Sequence, residues 1–212
     1  GQLIFASEIK SILRFPDFKR ELDLTALDKY LTFEYVPAPL SIFKKIQKLP
    51  AAHFLIYKNK NISINKYWDI NFSRRRNVIC EREAEERLLQ ILMAVVKRHL
   101  ISDVPLGIFL SGGIDSSIIT ALTNSLSRDR IKTFSIGFRE DTFDESSYIK
   151  QIVKLYHTEH YHRNFEVKDL FNILPEVARY LDEPLGDVSF FPTYLLSKFD
   201  RQSVKVALSG EG

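Results

Sequence analysis

The chain contains 212 residues, 45% of them hydrophobic and 12% aromatic, so it can bury a core, and disorder is excluded. A net charge of +3 is too small to indicate a nucleic-acid or membrane surface. The basic run Arg74–Arg76 lies in a polar stretch and is interpreted as a solvated linker. The single cysteine, Cys80, excludes an internal disulfide and favours a reducing compartment, so we expect a cytoplasmic protein.

Neither a membrane span nor a signal peptide is indicated. The longest uninterrupted apolar run, Ile91–Val96, is far shorter than the roughly 20 residues of a membrane helix. The beginning, Gly1–Phe5, lacks an initiator methionine and a basic region. We therefore expect an internal fragment that is cut at both ends.

The first third of the chain predicts short elements. A helix is expected over Leu24–Phe33, with Asp23 as its N-cap. Two strands, Phe54–Tyr57 and Ile62–Ile64, flank a four-residue polar loop and predict a hairpin. These elements are too few for a complete domain.

A long amphipathic helix follows the polar stretch, and from Gly107 onward the pattern alternates between strands and helices. Near-continuous apolar strands in such an alternation are typical of a parallel sheet covered by helices, which is the α/β class. The first helix is expected to include Leu88 to His99. Further helices are expected from about 115 and over 145–157, 168–181 and 192–200, and strands over 107–110, 132–138, 158–165 and 204–208.

The most informative segment is Gly107–Ser117, a buried strand that enters a Ser-Gly-Gly turn and then a helix. Glycines let the backbone approach an anion, and the free amides at a helix start attract one. Asp115 would repel phosphates unless a divalent cation bridges them, which suggests magnesium. Serine hydroxyls nearby add donors. The segment therefore predicts a phosphate site.

An isolated Ser-Gly-Gly would instead favour an ordinary strand-to-helix turn with a capping side chain. The complete segment is harder to explain in that way. No lysine follows the glycines, and the spacing is not Gly-x-Gly-x-x-Gly, so a kinase-like P-loop and a dinucleotide fold are disfavoured.

The loop Ser111–Ser116 resembles the pyrophosphate-binding loop of the ATP pyrophosphatase superfamily, whose members split ATP into AMP and pyrophosphate. The segment before it resembles the asparagine synthetase branch in particular. The segments that carry this resemblance are Ser102–Gly107, Thr133–Phe138 and Leu208–Gly212, together with Phe5–Lys10 and Lys48–Pro50, which resemble the end of that family's glutaminase domain.

The resemblance implies a domain organisation. Residues 1–67 would be the C-terminal part of an α+β N-terminal-nucleophile glutaminase domain, and 68–79 a linker. Residues 80–212 would be the N-terminal part of an ATP-binding domain with a parallel twisted sheet and flanking helices, of the adenine nucleotide α-hydrolase-like type.

The resemblance also implies an activity. An ATP-dependent, amide-forming ligase of asparagine biosynthesis adenylates a carboxylate such as aspartate, releases pyrophosphate and transfers ammonia from glutamine. ATP and Mg²⁺ would be required. The expected partners are glutamine or ammonia and the carboxylate, without nucleic acid or membrane, and a homodimer is one option for the assembly.

The resemblance also implies roles for the residues that match the family's motifs. Asp115 would hold Mg²⁺, and Glu211 would act as the general base for the incoming ammonia. The phosphates would contact Ser111, Gly112, Gly113, Asp115 and Ser116, and the adenosine would contact Leu110, Ile136, Ser209 and Gly210.

Departures from the family pattern limit this interpretation. The glutaminase cysteine is absent, and the family motif continues past Glu211 with acidic residues that this sequence lacks, so the fragment alone is not expected to be active. Asp182, Glu183 and Asp187 are candidates for the acceptor pocket, with helix capping as the alternative. No arginine of the aspartate-using kind lies nearby, so the acceptor stays open.

Other functions remain as alternatives. The chain could amidate a sugar acid or another cell-surface precursor, close a ring, or be a non-catalytic nucleotide-binding module. Thiolation of RNA is disfavoured because a basic groove and catalytic cysteines are absent. A zinc site at His157, His160 and His162 is also disfavoured, since no cysteine joins the histidines.

Overall fold

A computed structural model describes residues 2–72, 80–138 and 146–210. The chain divides into two compact units. The first consists of residues 1–76 and 175–188, and the second of residues 77–174 and 189–212. The first unit thus takes its second segment from far along the chain.

The first unit contains the short helix α1 (Ile9–Ile12), helix α2 (Leu24–Phe33) and the strands β1 (His53–Lys58) and β2 (Asn61–Lys66). The predicted α2 and its cap are confirmed, because the Asp23 carboxylate accepts hydrogen bonds from the amides of Thr25 and Ala26. A small core forms around Ala26, Val36 and Ile42.

The hairpin is confirmed, but its loop is shorter than predicted. Lys58 pairs with Asn61, so only Asn59 and Lys60 form the turn. Their φ angles are 51° and 63°, the left-handed conformation that a two-residue turn between twisted strands requires.

The second unit contains a four-stranded parallel sheet in the order β5-β4-β3-β6, so the predicted α/β class is confirmed. None of the described helices is long and apolar enough to cross a membrane. Helix α6 (Val167–Tyr180) is shared, since its residues from 175 onward belong to the first unit. The other elements of the second unit, in chain order, are α3 (Glu81–His99), β3 (Leu106–Phe109), α4 (Ile114–Leu126), β4 (Lys132–Phe138), α5 (Ser146–Tyr156), β5 (Glu159–Phe165), α7 (Phe190–Asp200) and β6 (Val206–Leu208).

The centre of the sheet is closely packed. Ile108, Leu110 and Phe134 are almost completely buried, and a Cβ on Gly107 would lie 2.6 Å from the Phe134 ring. The Leu110 amide donates to the Phe134 carbonyl at 2.8 Å and extends the pairing of β3 with β4. The sheet therefore holds the start of the Ser-Gly-Gly turn firmly.

The last strand is shorter than the predicted 204–208. The amides of Ser203 and Val204 donate to the Asp200 carbonyl and close the end of α7, and Lys205 donates to the Pro105 carbonyl. These turn contacts delay the strand until Val206.

Candidate functional site

The second unit has a cavity of about 380 Å³ where β3, β4 and β6 end. The chain leaves β3 towards β4 on one side, and β6 joins β3 on the other. Ligands in open α/β sheets bind at such a switch in strand order, beyond the carboxyl ends of the strands. The cavity is lined by Phe109, Leu110, Ser111, Gly113, Asp115, Ser116, Ser135, Ile136, Gly137, Ser146, Ile149, His162, Pro192, Thr193, Leu196, Ser209 and Gly210.

The turn between β3 and α4 places a helix start at this cavity. Gly112 has a φ angle of 88°, which a residue with a Cβ rarely adopts. Gly113 then caps α4 without a side chain. The first amides of an α-helix have no acceptor within the helix, and together with the helix dipole such amides are able to attract an anion.

Serine hydroxyls stabilise the turn from inside. The Ser116 hydroxyl donates to the Gly113 carbonyl at 3.2 Å and accepts from the Ser111 amide at 3.3 Å. The two hydroxyls of Ser111 and Ser116 are 3.0 Å apart, and Ser117 donates to the Gly113 carbonyl at 2.7 Å. Ser116 is 3% exposed. Its hydroxyl therefore holds the shape of the loop.

The segment after β6 closes against the same helix start. A Cβ on Gly210 would lie 2.4 Å from the Ser116 backbone nitrogen. Only glycine allows this approach, which brings Ser209 and Gly210 to the cavity.

Most of the predicted nucleotide residues come together. Leu110, Ser111, Gly113, Asp115, Ser116, Ile136, Ser209 and Gly210 all line the cavity. Gly112 lies in the same turn but lines a neighbouring groove. Glu211 lies outside the described residues, so its predicted role stays a prediction.

The predicted acceptor residues lie in the first unit. The Asp182 carboxylate accepts from the amides of Ile9 at 2.6 Å and Lys10 at 3.2 Å. Glu183 accepts from the Ile42 amide at 3.1 Å and from the Lys48 ammonium. Both carboxylates thus stabilise segments of the first unit, and Asp187 is exposed. The acceptor role of the three stays a prediction.

Several cavity residues were not predicted from the sequence. They come from β4, β5, α5 and α7, and the most notable are Ser135, Gly137 and His162. Ser135 faces His162 in the register of β4 and β5. A signal existed in the alternation of polar residues along both strands. From the sequence, His162 was a candidate only for the disfavoured zinc site.

The donor set fits magnesium bound through a nucleotide. Asp115 is exposed at the cavity and acidic in the first turn of α4. Within residues 2–72, 80–138 and 146–210, no three His, Cys, Asp or Glu side chains form a metal site. A single carboxylate suits Mg²⁺, which takes its other ligands from phosphates and water.

The histidines make other contacts. His160 and His162 each hydrogen-bond the Ser135 hydroxyl, and His157 lies at the end of α5 with a φ angle of 51°. Burial, with a contribution from His162, lowers the pKa of His160 to about 4. His160 is therefore neutral near pH 7.

Known proteins match both parts of the chain. The family model for asparagine synthase matches residues 87–212, and the model for a glutamine amidotransferase domain matches residues 1–68. These matches confirm the family resemblance of the loop and its flanking segments.

Individual relatives are similar in sequence to this chain over its whole length. A Methanocaldococcus jannaschii protein, named provisionally as a glutamine-hydrolysing asparagine synthetase, is 36% identical over all of this chain and 42% of its own length. Asparagine synthetase 1 of Bacillus subtilis is 33% identical over all of this chain and 33% of its length. The chain thus spans less than half of these relatives.

Among solved structures, the ammonia-dependent NAD synthetase of Campylobacter jejuni aligns with 60% of this chain and 56% of its own. The TM-score is 0.42 and the identity 12%, too low to support the assignment. The assignment depends on the asparagine synthase model, which covers 126 residues from 87 to 212 and therefore more than half of the chain. The chain belongs to the asparagine synthase family.

Proposed function

We propose that this chain supplies the ATP-binding part of a glutamine-dependent, amide-forming ligase. The observation that carries the proposal is the Ser111–Ser116 turn at the head of α4, which faces a cavity large enough for a nucleotide. The glutamine amidotransferase match at residues 1–68 supports glutamine as the source of ammonia. The family match supports a carboxylate as the acceptor.

The phosphates of ATP would lie at the start of α4. The amides after Gly113 would bind the β- and γ-phosphates, and Asp115 would hold Mg²⁺ against them. The metal would neutralise charge on the departing pyrophosphate. Ser116 would contribute through the loop that its hydroxyl maintains.

The adenosine would lie over the strand ends. Leu110 and Ile136 offer apolar surface there, and the Ser209–Gly210 segment offers backbone groups. Such positioning across the ends of parallel strands would place the α-phosphate near the phosphate loop.

The reaction would proceed in two steps. An oxygen of the acceptor carboxylate attacks the α-phosphorus, the bond from that phosphorus to the β-phosphate oxygen breaks, and pyrophosphate leaves. Ammonia then attacks the acyl carbon, AMP leaves with the carbon–oxygen bond pair, and the nitrogen loses a proton. We assign the acceptance of that proton to Glu211.

Exchange of labelled pyrophosphate into ATP tests the proposal. It is measured with Mg²⁺ and the full product of the gene, across a panel of acids that includes aspartate and uronic acids. We expect exchange with one acid, and Asp115→Ala should lower it about 100-fold or more because the metal loses its carboxylate. Asp129→Ala, an exposed aspartate beyond the other end of α4, is the matched control and should retain exchange.

The same panel identifies the acceptor. Exchange with a uronic acid rather than aspartate would assign the chain to the sugar-acid branch. Absence of exchange with every acid, together with unchanged ATP binding in Asp115→Ala, would contradict the catalytic proposal and favour a nucleotide-binding module.

A further inference from the structure

One face of the β4–β5 pair is unexpectedly polar. Parallel strands covered by helices are usually apolar on both faces. The other face follows that rule, since the Phe134 and Tyr161 rings stack there with centroids 5.2 Å apart. The polar face instead carries Thr133, Ser135 and Gly137 on β4, opposite His160, His162 and Asn164 on β5.

These side chains form a continuous series of hydrogen bonds. Thr133 Oγ1 lies 2.9 Å from His160 Nδ1, and His160 Nε2 lies 3.1 Å from Ser135 Oγ. Ser135 Oγ lies 2.7 Å from His162 Nδ1, and His162 Nε2 lies 2.8 Å from Asn164 Oδ1. The series thus links the buried Thr133 to the cavity residue His162.

The Ser135 hydroxyl joins the two rings of the series. Its Oγ lies within hydrogen-bond distance of His160 Nε2 and of His162 Nδ1, and Asn164 Oδ1, which can only accept, receives a hydrogen bond from His162 Nε2. Both nitrogens of each ring thus have a protein oxygen as partner. Each ring is therefore held in one orientation.

Gly137 leaves room for the end of this series. A Cβ at position 137 would lie 2.6 Å from Asn164 Oδ1 and 3.1 Å from His162 Cε1. Any larger residue would displace the His162–Asn164 hydrogen bond. The imidazole therefore lies beside the cavity because β4 has no side chain at this point.

The position of His162 relates it to the base end of a nucleotide. β5 is separated from β3, which carries the phosphate loop, by the single strand β4. Two strand spacings amount to about 10 Å. A ligand with its phosphates at the start of α4 and its body across β4 would reach His162 with its far end.

We propose that His162 is a specificity-determining residue that packs its ring against the nucleobase, and that Ser135 and Asn164 act through it as positioning residues. The inference depends on the proposed binding of ATP in this cavity. Both ring nitrogens are engaged with protein, and one face of the ring stacks toward His160 at 6.2 Å between centroids, so His162 has the remaining carbon surface of an exposed ring for contact with a base. The phosphate half of the ligand is independent of His162.

Binding of three ligands to the full protein tests whether His162 contacts the base end of the ligand and not its phosphates. The ligands are ATP, AMP and inorganic pyrophosphate, each titrated with Mg²⁺ by calorimetry. His162→Ala should weaken ATP and AMP about tenfold and leave pyrophosphate within about twofold. Ser135→Ala, which frees the ring without removing it, should weaken ATP about threefold, and His162→Phe should recover part of the loss because it keeps a flat ring.

Arg163→Ala is the matched control. Arg163 is the next residue on β5, lies over the Phe165 ring at 5.0 Å and lines a different pocket, so ATP binding should stay within about twofold. Unchanged ATP binding in His162→Ala, or equal weakening of ATP and pyrophosphate, would overturn the inference while ATP binding by the unmodified protein stands. Absence of both ATP and pyrophosphate binding in the unmodified protein would overturn the proposed function itself, and this inference with it.

Discussion

The Ser111–Ser117 loop of the second unit and the Asp182–Gly186 segment of the first use similar contacts across very different distances in sequence. In the loop, Ser111 and Ser116 are five residues apart, and Ser117 bonds the carbonyl of Gly113 four residues before it. In the other segment, Asp182 bonds an amide 173 residues away and Glu183 one 141 residues away. A local motif therefore shapes the loop, whereas the other segment depends on the folded chain.

Because of this difference in sequence separation, substitutions in the two regions should disturb different amounts of the structure. Short-range contacts order few residues and cost little chain entropy, so losing one should affect the loop alone. A long-range carboxylate that satisfies several groups should affect every segment it joins.

The largest effect is expected at Glu183. Its carboxylate bonds the Ile42 amide and the Lys48 ammonium, which also donates to the Val36 carbonyl. Glu183→Ala should lower the free energy of unfolding by about 3 kcal/mol, because it leaves a half-buried charge and an amide without their partner. Urea unfolding measures the loss, and hydrogen exchange should rise at residues 34–48.

Glu21→Ala is the control for this prediction. Glu21 and Lys44 form an exposed pair with a nitrogen–oxygen distance of 4.0 Å, and its loss should cost less than about 1 kcal/mol. Equal costs for the two substitutions would show that Asp182–Gly186 does not hold the first unit together.

A smaller loss of stability is expected from substitution of Gly210. A Cβ there would meet the Ser116 backbone nitrogen at 2.4 Å, so Gly210→Ala should cost about 2 kcal/mol through displacement of the helix start. At Gly113 a Cβ would meet only Ser111 Oγ, at 3.4 Å, and Gly113→Ala should change stability by less than about 0.5 kcal/mol.

Thermal unfolding with and without pyrophosphate compares these two variants. Gly113→Ala should unfold like the unmodified protein without ligand but gain less stability from pyrophosphate, because its new methyl group obstructs the anion. If Gly210→Ala proves as stable as Gly113→Ala, the close approach of Gly210 to α4 is not required.

Substitution of Asp200 should raise the free energy of unfolding, whereas substitution of Glu183 should lower it. It is 7% exposed, and burial raises its pKa from 3.8 to about 6. The folded state thus binds more protons between those values, and its stability from this group falls as the pH rises through that window. Asp200→Asn should be more stable than the unmodified protein by about 1–2 kcal/mol at pH 8, with the difference vanishing near pH 4.

Denaturant unfolding at several pH values measures this difference. The lowered pKa of His160 acts in the reverse direction, but it is present in both proteins and cancels in the comparison. Asp129→Asn makes the same chemical change at an exposed position and is the matched control. A constant difference between pH 4 and pH 8 for Asp200→Asn would contradict the role of its charge.

The smallest effects are expected within the loop. Ser116→Ala removes a hydroxyl that bonds both the Ser111 amide and the Gly113 carbonyl, and should cost about 1 kcal/mol. Ser117→Ala removes one bond to a carbonyl that keeps other donors, and should cost about 0.5 kcal/mol. Denaturant unfolding of the two variants should place Ser116→Ala lower, and the reverse order would contradict the central position of Ser116.

Some elements were predicted correctly from the sequence and others were not. The α2 cap at Asp23, strand β4 and the turn from β3 into α4 were predicted correctly, because each is determined by residues close in sequence. The hairpin loop was predicted too long, since left-handed conformations at Asn59 and Lys60 are not signalled by glycine. The contributions of α7 and β5 to the cavity were not predicted, because no local sequence pattern determines which helix packs against a sheet.

Sequence by itself determined the parallel sheet, the turn from β3 into α4 and the family to which the chain belongs, since hydrophobic periodicity and a short motif are local properties. Only the tertiary structure decided that Asp182 and Glu183 bind amides of the first unit, and that Ser135 faces His162 beside the cavity. The physical reason is that these contacts join residues from 27 to 173 positions apart, and their pairing depends on strand register and on the packing of the whole chain.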